Sequence, residues 1–396
     1  MNLRLLIYAH SWAPTVGGVE ATTRTLAEGL AEFSSTRAGD SIEVTVVTLT
    51  PADGMNDSAL SFRVVRRPRL WKLIKLFNSA DIVHLAGPVL VPLALGWLLK
   101  KCIVLEHHGF QSICPNGQLF YELNQSQCPG HFMAKRYQKC LECNSKVGKL
   151  RSLAILLLTF PRRWLCQRMV VNIFPTEWLG TVLQLNRGVR IYHGIPDIEG
   201  PLVNIEPPVY TFTFLGRLVS TKGAQVLLNA ARVLKSDGFS FRINIVGQGP
   251  DRKALEKLSS DYDLEGYVDF LGYMSPTQLK EILVNTSAVV VPSLAGEVFG
   301  LVVLENMLRS KCLIASDIPS FRELIGDTGL LFQAGDSLAL AARMRQILEM
   351  PSLSVSLGLA ARGRAAELFS LERMLQTHIS VYRELWQRTQ SQRGIP

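Results

Sequence analysis

Short apolar runs alternate with stretches of helical periodicity along the whole chain. In the first half these runs are LRLLIYA, IEVTVVTL, SFRVV, DIVHLAG, CIVLEH, MVVNIF and VRIYHG. In the second half TFTFLGR, FRINIVG, VDFLGY, AVVVPS, CLIAS and GLLF are separated by predicted helices near 222–235, 250–260, 276–285, 300–309 and 336–348. Buried strands that alternate with helices are typical of a parallel sheet covered by helices on both faces.

The two halves are separated by PDIEGPLVNIEPPV, residues 196–209, which contains four prolines and has no helical period. We interpret this segment as a linker. A chain of 396 residues also fits two domains better than one hydrophobic core. The pattern therefore predicts an α/β protein with two doubly wound, Rossmann-like domains, at residues 1–195 and 208–369.

The composition favours a globular protein with an anionic ligand or partner. Hydrophobic residues make up 47% of the chain, and the formal net charge is +9. Such a charge suits nucleic acid, an anionic membrane or a phosphorylated substrate, but the sequence has no nucleic-acid-binding motif. The opening MNLRLLIYAH is short for a secretory signal, and SLAILLLTF at 152–160 is shorter than the ~18 residues that span a bilayer. We expect a cytoplasmic protein.

The residues with the most distinctive chemistry follow predicted strands. In open α/β sheets, ligands bind outside the carboxyl ends of the strands. In the first half, Gly17, Gly18 and Glu20 follow the first strand, and His107 and His108 end a later one. The second-half residues in such positions are Arg217, Gly247, Gly249, Gly272, Ser293 and Glu297. If the two edges face each other, the site is an interdomain cleft.

The stretch GEVFGLVVLENM, residues 296–307, places Glu297 and Glu305 in an apolar run. We predict that a helix starts near Phe299 or Gly300, which puts Glu297 at its mouth and Glu305 one to two turns inside. Eight helical residues cover ~12 Å, and a helix N-terminus favours phosphate. The two carboxylates therefore suit the two ends of a sugar nucleotide, although two solvated helix glutamates are the alternative.

A second motif, GRLVSTKG, places Arg217 at a strand end and Lys222 at the predicted start of the next helix, with Ser220 or Thr221 as its N-cap. Two cations at one sheet edge suit a diphosphate. The following IVGQGPDRKALEKL has a Gly-x-Gly at Gly247 and Gly249, but Arg252 stands at the third glycine position of a dinucleotide fingerprint.

Taken in order, GGVE, ADIVHLAG, EHHGF, GRLVSTKG, VGQGPDRKALEKL, FLGYMS, VVPSLAGEVFGLVVLENM, ASDIPSFRELI and GLLFQAGD resemble the retaining nucleotide-sugar glycosyltransferases of glycosyltransferase family 4. The resemblance covers nearly the whole chain and is densest from about 211 to 350. It implies a GT-B fold, with two facing Rossmann-like domains and an interdomain cleft.

The resemblance also assigns roles to residues of the donor site. It implies that Arg217 and Lys222 bind the donor diphosphate, Glu297 the sugar and Glu305 the ribose. The remaining donor-site positions implied are Gly17, Gly18, Gly216, Gly247, Gly249, Phe299, Gly300 and Leu301, with the backbone amides from Glu297 to Leu301 around the phosphate.

The family histidine of the first domain ends a strand before a small or acidic residue, so His108, which precedes Gly109, is preferred to His107. The alternative for either is a strand-end histidine bonded to backbone. The implied catalytic residues are thus His108, Arg217, Lys222 and Glu297. The implied chemistry is front-face attack by an acceptor hydroxyl with retention at the anomeric carbon, and it needs no divalent metal or other cofactor.

The C-terminal segment SLERMLQTHISVYRELWQ, residues 370–387, has apolar positions at helical spacing. In enzymes of the resembled family the last helix crosses back to the first domain. We therefore expect a helix at 370–390 that packs there and buries Tyr382 and Trp386. An exposed tail or a dimer helix is the alternative.

Four of the seven cysteines lie between residues 114 and 143 on a basic loop: Cys114, Cys128, Cys140 and Cys143. This spacing is compatible with a structural zinc site of four thiolates, and also with four thiols that bind no metal. Disulfides are disfavoured in a cytoplasmic protein.

Two stretches mix basic and apolar residues: RLWKLIKLF at 69–77 and KVGKLRSLAILLLTFPRRW at 146–164. Each is either a surface for the anionic inner face of the cytoplasmic membrane or a core helix with a basic outer side. The expected partners are a nucleotide-sugar donor and a glycan or lipid-linked acceptor, in the synthesis of a cell-surface glycan, polysaccharide or glycolipid. Other hypotheses are a non-catalytic sugar-nucleotide-binding protein, a related phosphorylase or synthase, and a nicotinamide-dependent oxidoreductase, for which neither half has a complete fingerprint.

Overall fold

A computed structural model describes residues 2–15, 17–36, 41–198 and 209–393. The chain divides into two compact units. The first comprises Met1–Leu119, Pro129–Pro196 and Ser370–Pro396, and the second comprises Phe120–Cys128 and Asp197–Phe369. Most of the predicted linker, residues 199–208, lies outside the described residues.

The part of the chain before the linker alternates strands with helices, as the apolar pattern predicts. Its elements are β1 (Asn2–Ala9), α1 (Gly18–Thr36), β2 (Ser41–Thr48), β3 (Arg63–Arg66), α2 (Leu70–Ser79), β4 (Ile82–Ala86), α3 (Leu90–Leu98), β5 (Cys102–Glu106), β6 (Phe120–Tyr121), β7 (Ser126–Gln127), α4 (Tyr137–Cys143), α5 (Lys149–Cys166), β8 (Val171–Phe174), α6 (Glu177–Leu183) and β9 (Gly188–Arg190).

The part after the linker repeats the alternation and ends in three helices. Its elements are β10 (Thr211–Leu215), α7 (Ala224–Ser236), β11 (Arg242–Val246), α8 (Arg252–Asp261), β12 (Val268–Gly272), α9 (Pro276–Val284), β13 (Ala288–Val291), α10 (Leu301–Leu308), β14 (Cys312–Ser316), α11 (Pro319–Ile325), β15 (Leu330–Phe332), α12 (Ser337–Glu349), α13 (Pro351–Leu368) and α14 (Leu371–Arg393).

Within the described residues, the first unit holds a parallel sheet of seven strands in the order β3-β2-β1-β4-β5-β8-β9. Its central strands are apolar because helices cover both faces; every residue of β4 is buried. Of the predicted strand VRIYHG only Val189 and Arg190 are in a strand, and they form β9 together with Gly188. Beyond it the chain turns towards the start of α14, and Ile195 makes an isolated parallel bridge with Ser370.

The second unit has a parallel sheet whose six described strands run in the order β12-β11-β10-β13-β14-β15. Phe212, Ile243, Ile245 and Val290 project from three of these strands into one apolar core. Helix α7 covers it with fully buried Leu227 and other apolar residues. The predicted fold class, with two doubly wound parallel sheets, is confirmed.

The C-terminal helix α14 is part of the first unit. Its Tyr382 is fully buried, and the phenol lies 2.8 Å from Nδ1 of His84 in the middle of β4. Leu375 fits against Gly29 of α1, where a Cβ would come within 2.6 Å of its side chain. Trp386 is partly buried and packs against the same apolar core. Helix α14 thus covers the sheet on the side of α1.

None of the helices in the described part of the chain combines the length and the apolar content that crossing a bilayer demands.

Replacement of Tyr382 by phenylalanine tests how strongly α14 is held. The change keeps the buried ring and removes the donor to His84, so we expect the free energy of unfolding to fall by about 1–3 kcal/mol. Ser380→Ala, at an exposed position on the same helix, is the matched control. Urea unfolding of both variants measures the difference. Equal stability of the two would show that the buried hydrogen bond contributes nothing.

Candidate functional site

The order of the second sheet reverses between β10 and β13. Strands β11 and β12 follow β10 on one side, and β13, β14 and β15 extend on the other. At such a reversal the loops after the two central strands diverge to opposite faces of the sheet and leave a crevice for a ligand. Arg217 and Lys222 follow β10, and Ser293 and Glu297 follow β13. The structure thus brings these predicted residues to one sheet edge.

Lys222 and Glu297 form the clearest contact at this edge. Lys222 Nζ lies 2.5 Å from Glu297 Oε1, and the Ser293 hydroxyl donates to the same oxygen at 2.8 Å. The side chains of Lys222 and Glu297 are 28% and 12% exposed. Because one carboxylate oxygen accepts both bonds, the geometry fixes Glu297 while its second oxygen can accept a further donor.

The backbone before α7 differs from the prediction. Ser220–Lys222 is a turn of 3₁₀ helix, and α7 begins after Gly223, which is its N-cap. Neither Ser220 nor Thr221 caps α7 with its side chain, so the predicted N-cap is wrong. Gly223 has φ +74°, and a Cβ there would lie 1.9 Å from the carbonyl oxygen of Pro292. Glycine permits this contact of the β10 and β13 loops, which a capping residue at 223 would prevent.

The two glycines of the Gly-x-Gly motif also serve loop packing. A Cβ on Gly247 would lie 1.8 Å from the Gly216 carbonyl oxygen, and one on Gly249 would lie 2.2 Å from that of Leu218. Backbone bonds join the same loops, since Leu218 donates its N–H to the Gln248 carbonyl at 2.9 Å. The loops after β10 and β11 are thus held together beside Arg217, whose side chain is exposed.

Helix α10 starts at Leu301, where the sequence predicts a start near Phe299 or Gly300. Gly300 is its N-cap with φ +104°, and Phe321 occupies the space that a Cβ would need. Phe299 is buried and packs edge-on against Phe369, and this contact holds the turn before α10 in place. The first amides of a helix lack partners within it, so this start suits a phosphate.

Glu305 lies in the second turn of α10, as predicted, and its carboxylate is 3.6 Å from Arg309 of the same helix. Its side chain is 40% exposed. Burial raises the pKa of Glu305, while Arg309 opposes that shift. A half-buried carboxylate next to one cation can accept hydrogen bonds from hydroxyl groups, which is the chemistry assigned to it from the sequence.

In the first unit, the two adjacent histidines after β5 have different environments. His107 is fully buried and lies 2.9 Å from Asn172 Oδ1, while the Asn172 amide donates to two backbone carbonyls. That arrangement makes His107 Nε2 the donor, and burial lowers the pKa of His107 to about 4. The ring of His107 is thus bonded to a side chain and not, as the alternative has it, to backbone, and its buried Nδ1 has no hydrogen-bond partner among the described residues. His108 stays the predicted site residue.

Glu106, the last residue of β5, is the centre of a buried polar cluster that the sequence analysis missed. His84 lies 3.0 Å from its Oε2, His193 3.5 Å from its Oε1, and His108 and His378 lie 3.8 and 4.0 Å from Oε2. An acidic residue at the end of the otherwise apolar strand CIVLE was the signal that could have identified it. Helix α14 contributes His378 and Tyr382 to this cluster.

The hydrogen bonds around Glu106 define its charge state. Burial raises the pKa of Tyr382 well above its usual range, so the phenol is protonated and donates to His84 Nδ1. His84 then carries its proton on Nε2 and donates to Glu106. Burial alone would raise the pKa of Glu106, but His108 and His84 hold it well below its usual range. Glu106 is therefore a buried carboxylate beside His108, on the strand that ends at the candidate site.

Glu106, His108 and His193 offer donor atoms within 4.8 Å of one another, the one such set of three in the described part of the chain. Carboxylate and imidazole are ligands of Zn²⁺. The rings of His108 and His193 are stacked, however, with an interplanar angle of 16° and centroids 5.3 Å apart. Their in-plane lone pairs then lie in separate planes and do not converge on one ion. This geometry favours, over a metal site, a buried cluster held by the His84–Glu106 bond and by electrostatic attraction, since His108 Nε2 has no hydrogen-bond partner among the described residues.

Gly17 and Gly18 lie at the start of α1, after β1. A Cβ on Gly17 would come within 2.4 Å of the Glu20 carboxylate, which folds back over the helix start. Burial lowers the pKa of His108, while the charges of Glu106 and, less strongly, Glu20 oppose that shift. Gly17, Gly18 and His108 follow the carboxyl ends of β1 and β5, and these ends meet at one edge of the parallel sheet.

The four clustered cysteines do not form a compact set of three ligands among the described residues. Cys114, Cys140 and Cys143 are buried in the first unit, and Cys128 follows the hairpin β6–β7 at the end of a second-unit segment. Asn116 accepts from Cys114 Sγ at 2.9 Å and donates to Cys143 Sγ at 3.8 Å. The four-thiolate zinc site stays a prediction.

Comparison with known proteins places these features in a family. Residues 203–364 match the family described as glycosyl transferases group 1. Alpha-D-kanosaminyltransferase of Streptomyces kanamyceticus is 29% identical over 43% of this chain and 45% of its own length. Phosphatidyl-myo-inositol mannosyltransferase of Mycolicibacterium smegmatis is 34% identical over 35% of this chain and 36% of its own length. These alignments span less than half of each relative.

Solved structures match nearly the whole chain at lower identity. Anabaena HepE in complex with UDP and glucose has a TM-score of 0.71 at 17% identity, over 96% of this chain and 100% of its own. Sucrose-phosphate synthase from Thermosynechococcus elongatus has a TM-score of 0.71 at 19% identity, over 98% of this chain and 100% of its own. These matches show the fold that the resemblance implies. Residues 203–364, in the second unit, thus match the glycosyl transferases group 1 family, and the structural matches over nearly the whole chain show a GT-B fold.

Proposed function

We propose that this protein is a retaining glycosyltransferase that moves a sugar from a nucleotide-diphosphate sugar to an acceptor hydroxyl. The observation that carries the proposal is the Lys222–Glu297 pair at the point where the second sheet reverses. The family match of residues 203–364 and the sugar-transferase names of the curated relatives support the reaction class. The UDP and glucose held by Anabaena HepE support a nucleotide-sugar donor.

The charged groups of the second unit suit a nucleotide-diphosphate sugar. Arg217 and Lys222 bind the diphosphate, together with the backbone amides from Glu297 to Leu301. An ammonium group has three donors, so Lys222 can keep its bond to Glu297 and still donate to a phosphate oxygen. The second oxygen of Glu297 accepts a sugar hydroxyl, and Glu305, further along α10, accepts the ribose hydroxyls. Glycines at 216, 247, 249 and 300 let the backbone pack closely around this edge.

The reaction itself needs a nucleophile, a leaving group and one proton transfer. The acceptor oxygen forms a bond to the anomeric carbon on the face from which the diphosphate leaves, while the bond between that carbon and the phosphate oxygen breaks. The acceptor's proton passes to the departing phosphate. Arg217, Lys222 and the start of α10 stabilise the charge that develops there. Since these groups are cationic or amide donors, we propose that the donor needs no divalent metal.

The first unit supplies the acceptor side of the proposal. His108 follows a strand and is held beside the ionised Glu106, and Gly17 and Gly18 allow close approach of the backbone at the start of α1. We assign His108 a hydrogen bond to the sugar or the acceptor. The acceptor class we propose is a glycan or a lipid-linked glycan of a cell-surface polysaccharide or glycolipid pathway, used at the cytoplasmic side.

Turnover is the direct test of this function. The full-length protein is incubated with labelled UDP-, GDP- and ADP-sugars and a panel of lipid-linked and free glycan acceptors, in EDTA. We expect transfer from one donor, with an anomeric configuration in the product that equals that of the donor by NMR. Binding without turnover would favour a non-catalytic sugar-nucleotide protein, phosphorolysis would favour a phosphorylase, and activity restored only by Mg²⁺ or Mn²⁺ would contradict the role of Arg217 and Lys222.

Replacement of Lys222 by alanine removes a cation from the proposed diphosphate site and leaves Glu297 without its ion-pair partner. A charged contact of this kind contributes ~2–4 kcal/mol, so we expect kcat/KM to fall more than tenfold. Lys253→Ala, at an exposed position on α8, is the matched control and should retain the wild-type rate. If the Lys222 variant had the same rate as this control, the assignment of Lys222 to the diphosphate site would be wrong.

A further inference from the structure

Helices α2, α3 and α5 lie side by side on one face of the first sheet. They follow β3, β4 and β5, and the crossovers that contain them advance in the same direction along the order β3-β2-β1-β4-β5-β8-β9. Right-handed crossovers in one direction place their helices on one face. Leu73, Phe77, Leu93 and Leu165 confirm this, because they bring the three helices into one apolar core.

The outer side of these helices is also apolar, whereas a helix layer that faces water normally has a polar outer side. The described residues include 21 exposed large hydrophobic side chains, and 11 of them lie on α2, α3 and α5. Leu150 is 87% exposed, Leu98 67% and Leu70 60%. The whole set, called the α2–α3–α5 face here, is Leu70, Trp71, Val91, Trp97, Leu98, Leu150, Leu153, Leu157, Leu158, Phe160 and Trp164.

The side chains on α5 form a continuous stripe. Leu150, Leu153, Leu157, Phe160 and Trp164 are spaced by three or four residues, so they lie along one side of the helix. Fourteen helical residues cover ~21 Å. The buried residues of α5 lie away from this stripe: Leu165 and Cys166 pack in the core of the first sheet, and Leu156 packs in a small cluster with Phe132 and Cys140. A core helix with a basic outer side therefore does not account for the exposed apolar stripe of α5.

The face continues from α5 to α3. The rings of Trp97 and Trp164 meet edge to face with centroids 5.2 Å apart. Arg168 lies over the Trp164 ring at 3.6 Å, and on α2 Lys75 lies over the Trp71 ring at 5.0 Å. Tryptophan with an adjacent cation is suited to the boundary between acyl chains and headgroups, where one part of the pair is apolar and the other is hydrated.

The charge on this face has one sign. Helices α2, α3 and α5 contain 37 residues (10, 9 and 18) with six Lys or Arg and no Asp or Glu. Lys149 and Arg151 are exposed at the start of α5, next to Leu150. An anionic sheet of lipid complements such a surface. Arg162 and Arg163 are partly buried and donate to backbone carbonyls, whereas Lys75, Lys149 and Arg151 are exposed. A second copy of the chain would place these exposed cations opposite the same cations, which disfavours self-association through this face.

We propose that the α2–α3–α5 face docks the first unit on an anionic lipid bilayer. Helix α5 lies along the headgroup region with its apolar stripe among the upper acyl chains, and the exposed Lys75, Lys149 and Arg151 contact the lipid phosphates. Docking would deliver the enzyme to lipid-linked acceptors of the kind proposed above. The docking proposal depends only on the α2–α3–α5 face, because binding to vesicles requires neither a donor nor an acceptor. Failure of the transferase assay and failure of vesicle binding are therefore separate results.

Sedimentation of the full-length protein with vesicles tests the proposal. Vesicles of phosphatidylcholine, with and without phosphatidylglycerol, are compared without any sugar nucleotide. We expect strong sedimentation with the anionic vesicles and weak sedimentation with the neutral ones. The variant Leu150→Asn/Leu153→Asn/Leu157→Asn should lower the partition coefficient roughly tenfold or more, because it removes the apolar stripe while leaving the core side of α5 unchanged.

The matched control is Leu338→Asn/Val355→Asn/Leu359→Asn, which changes three exposed aliphatic residues on α12 and α13 of the second unit and should bind like the wild type. Circular dichroism and melting temperature verify that both triple variants are folded. Equal binding of the wild type to the two kinds of vesicle, or equal binding of the two triple variants, would overturn the proposal. So would light scattering that shows a dimer which only the α5 variant dissociates, since a second copy would then cover the face.

Discussion

The close contact between two backbone segments of the second unit underlies the candidate donor site. The Pro292 carbonyl after β13 occupies the space beside Gly223 after β10, and Leu294 donates its N–H to the Thr221 carbonyl at 2.8 Å. Because the two loops are joined in this way, Lys222 on one lies against Glu297 on the other. Any side chain at 223 would separate the loops and break the ion pair. The site thus depends on Gly223, although this glycine has no side chain that could contact a ligand.

In the first unit, a buried charge holds segments that are distant in the sequence close to the candidate site. Glu106 ends β5, and four imidazole rings from three strands or loops and from α14 surround its carboxylate. A buried carboxylate is costly unless donors neutralise it, so the position of α14 and the orientation of His108 are coupled through one group. The exposed apolar side chains of α2, α3 and α5 lie on the other face of the same sheet. One unit can therefore position a histidine and contact a membrane with different helices.

The sequence predicts most of the donor edge because strand ends and helix starts have clear signals. Periodicity predicts where α10 starts to within two residues, and it places Glu305 in the second turn of that helix. It also predicts the strand ends that precede Arg217 and Glu297. The N-cap at Ser220 or Thr221 was wrong because the constraint at Gly223 comes from Pro292, about 70 residues away in the chain. Glu106 was missed for a similar reason, since its partners come from distant segments. Periodicity also cannot tell which side of α5 is covered, because both sides are apolar.

We propose above that the edge between β10 and β13 binds the diphosphate of a nucleotide sugar. Isothermal titration of the full-length protein with a nucleoside diphosphate and with its monophosphate measures this most directly, in EDTA and without acceptor. We expect the diphosphate to bind roughly tenfold more tightly or better, and the Lys222→Ala variant to lose most of this difference, because we assign Lys222 a contact to the second phosphate. Equal affinity for the two nucleotides, or a preference that persists in the variant, would show that this edge does not bind the diphosphate.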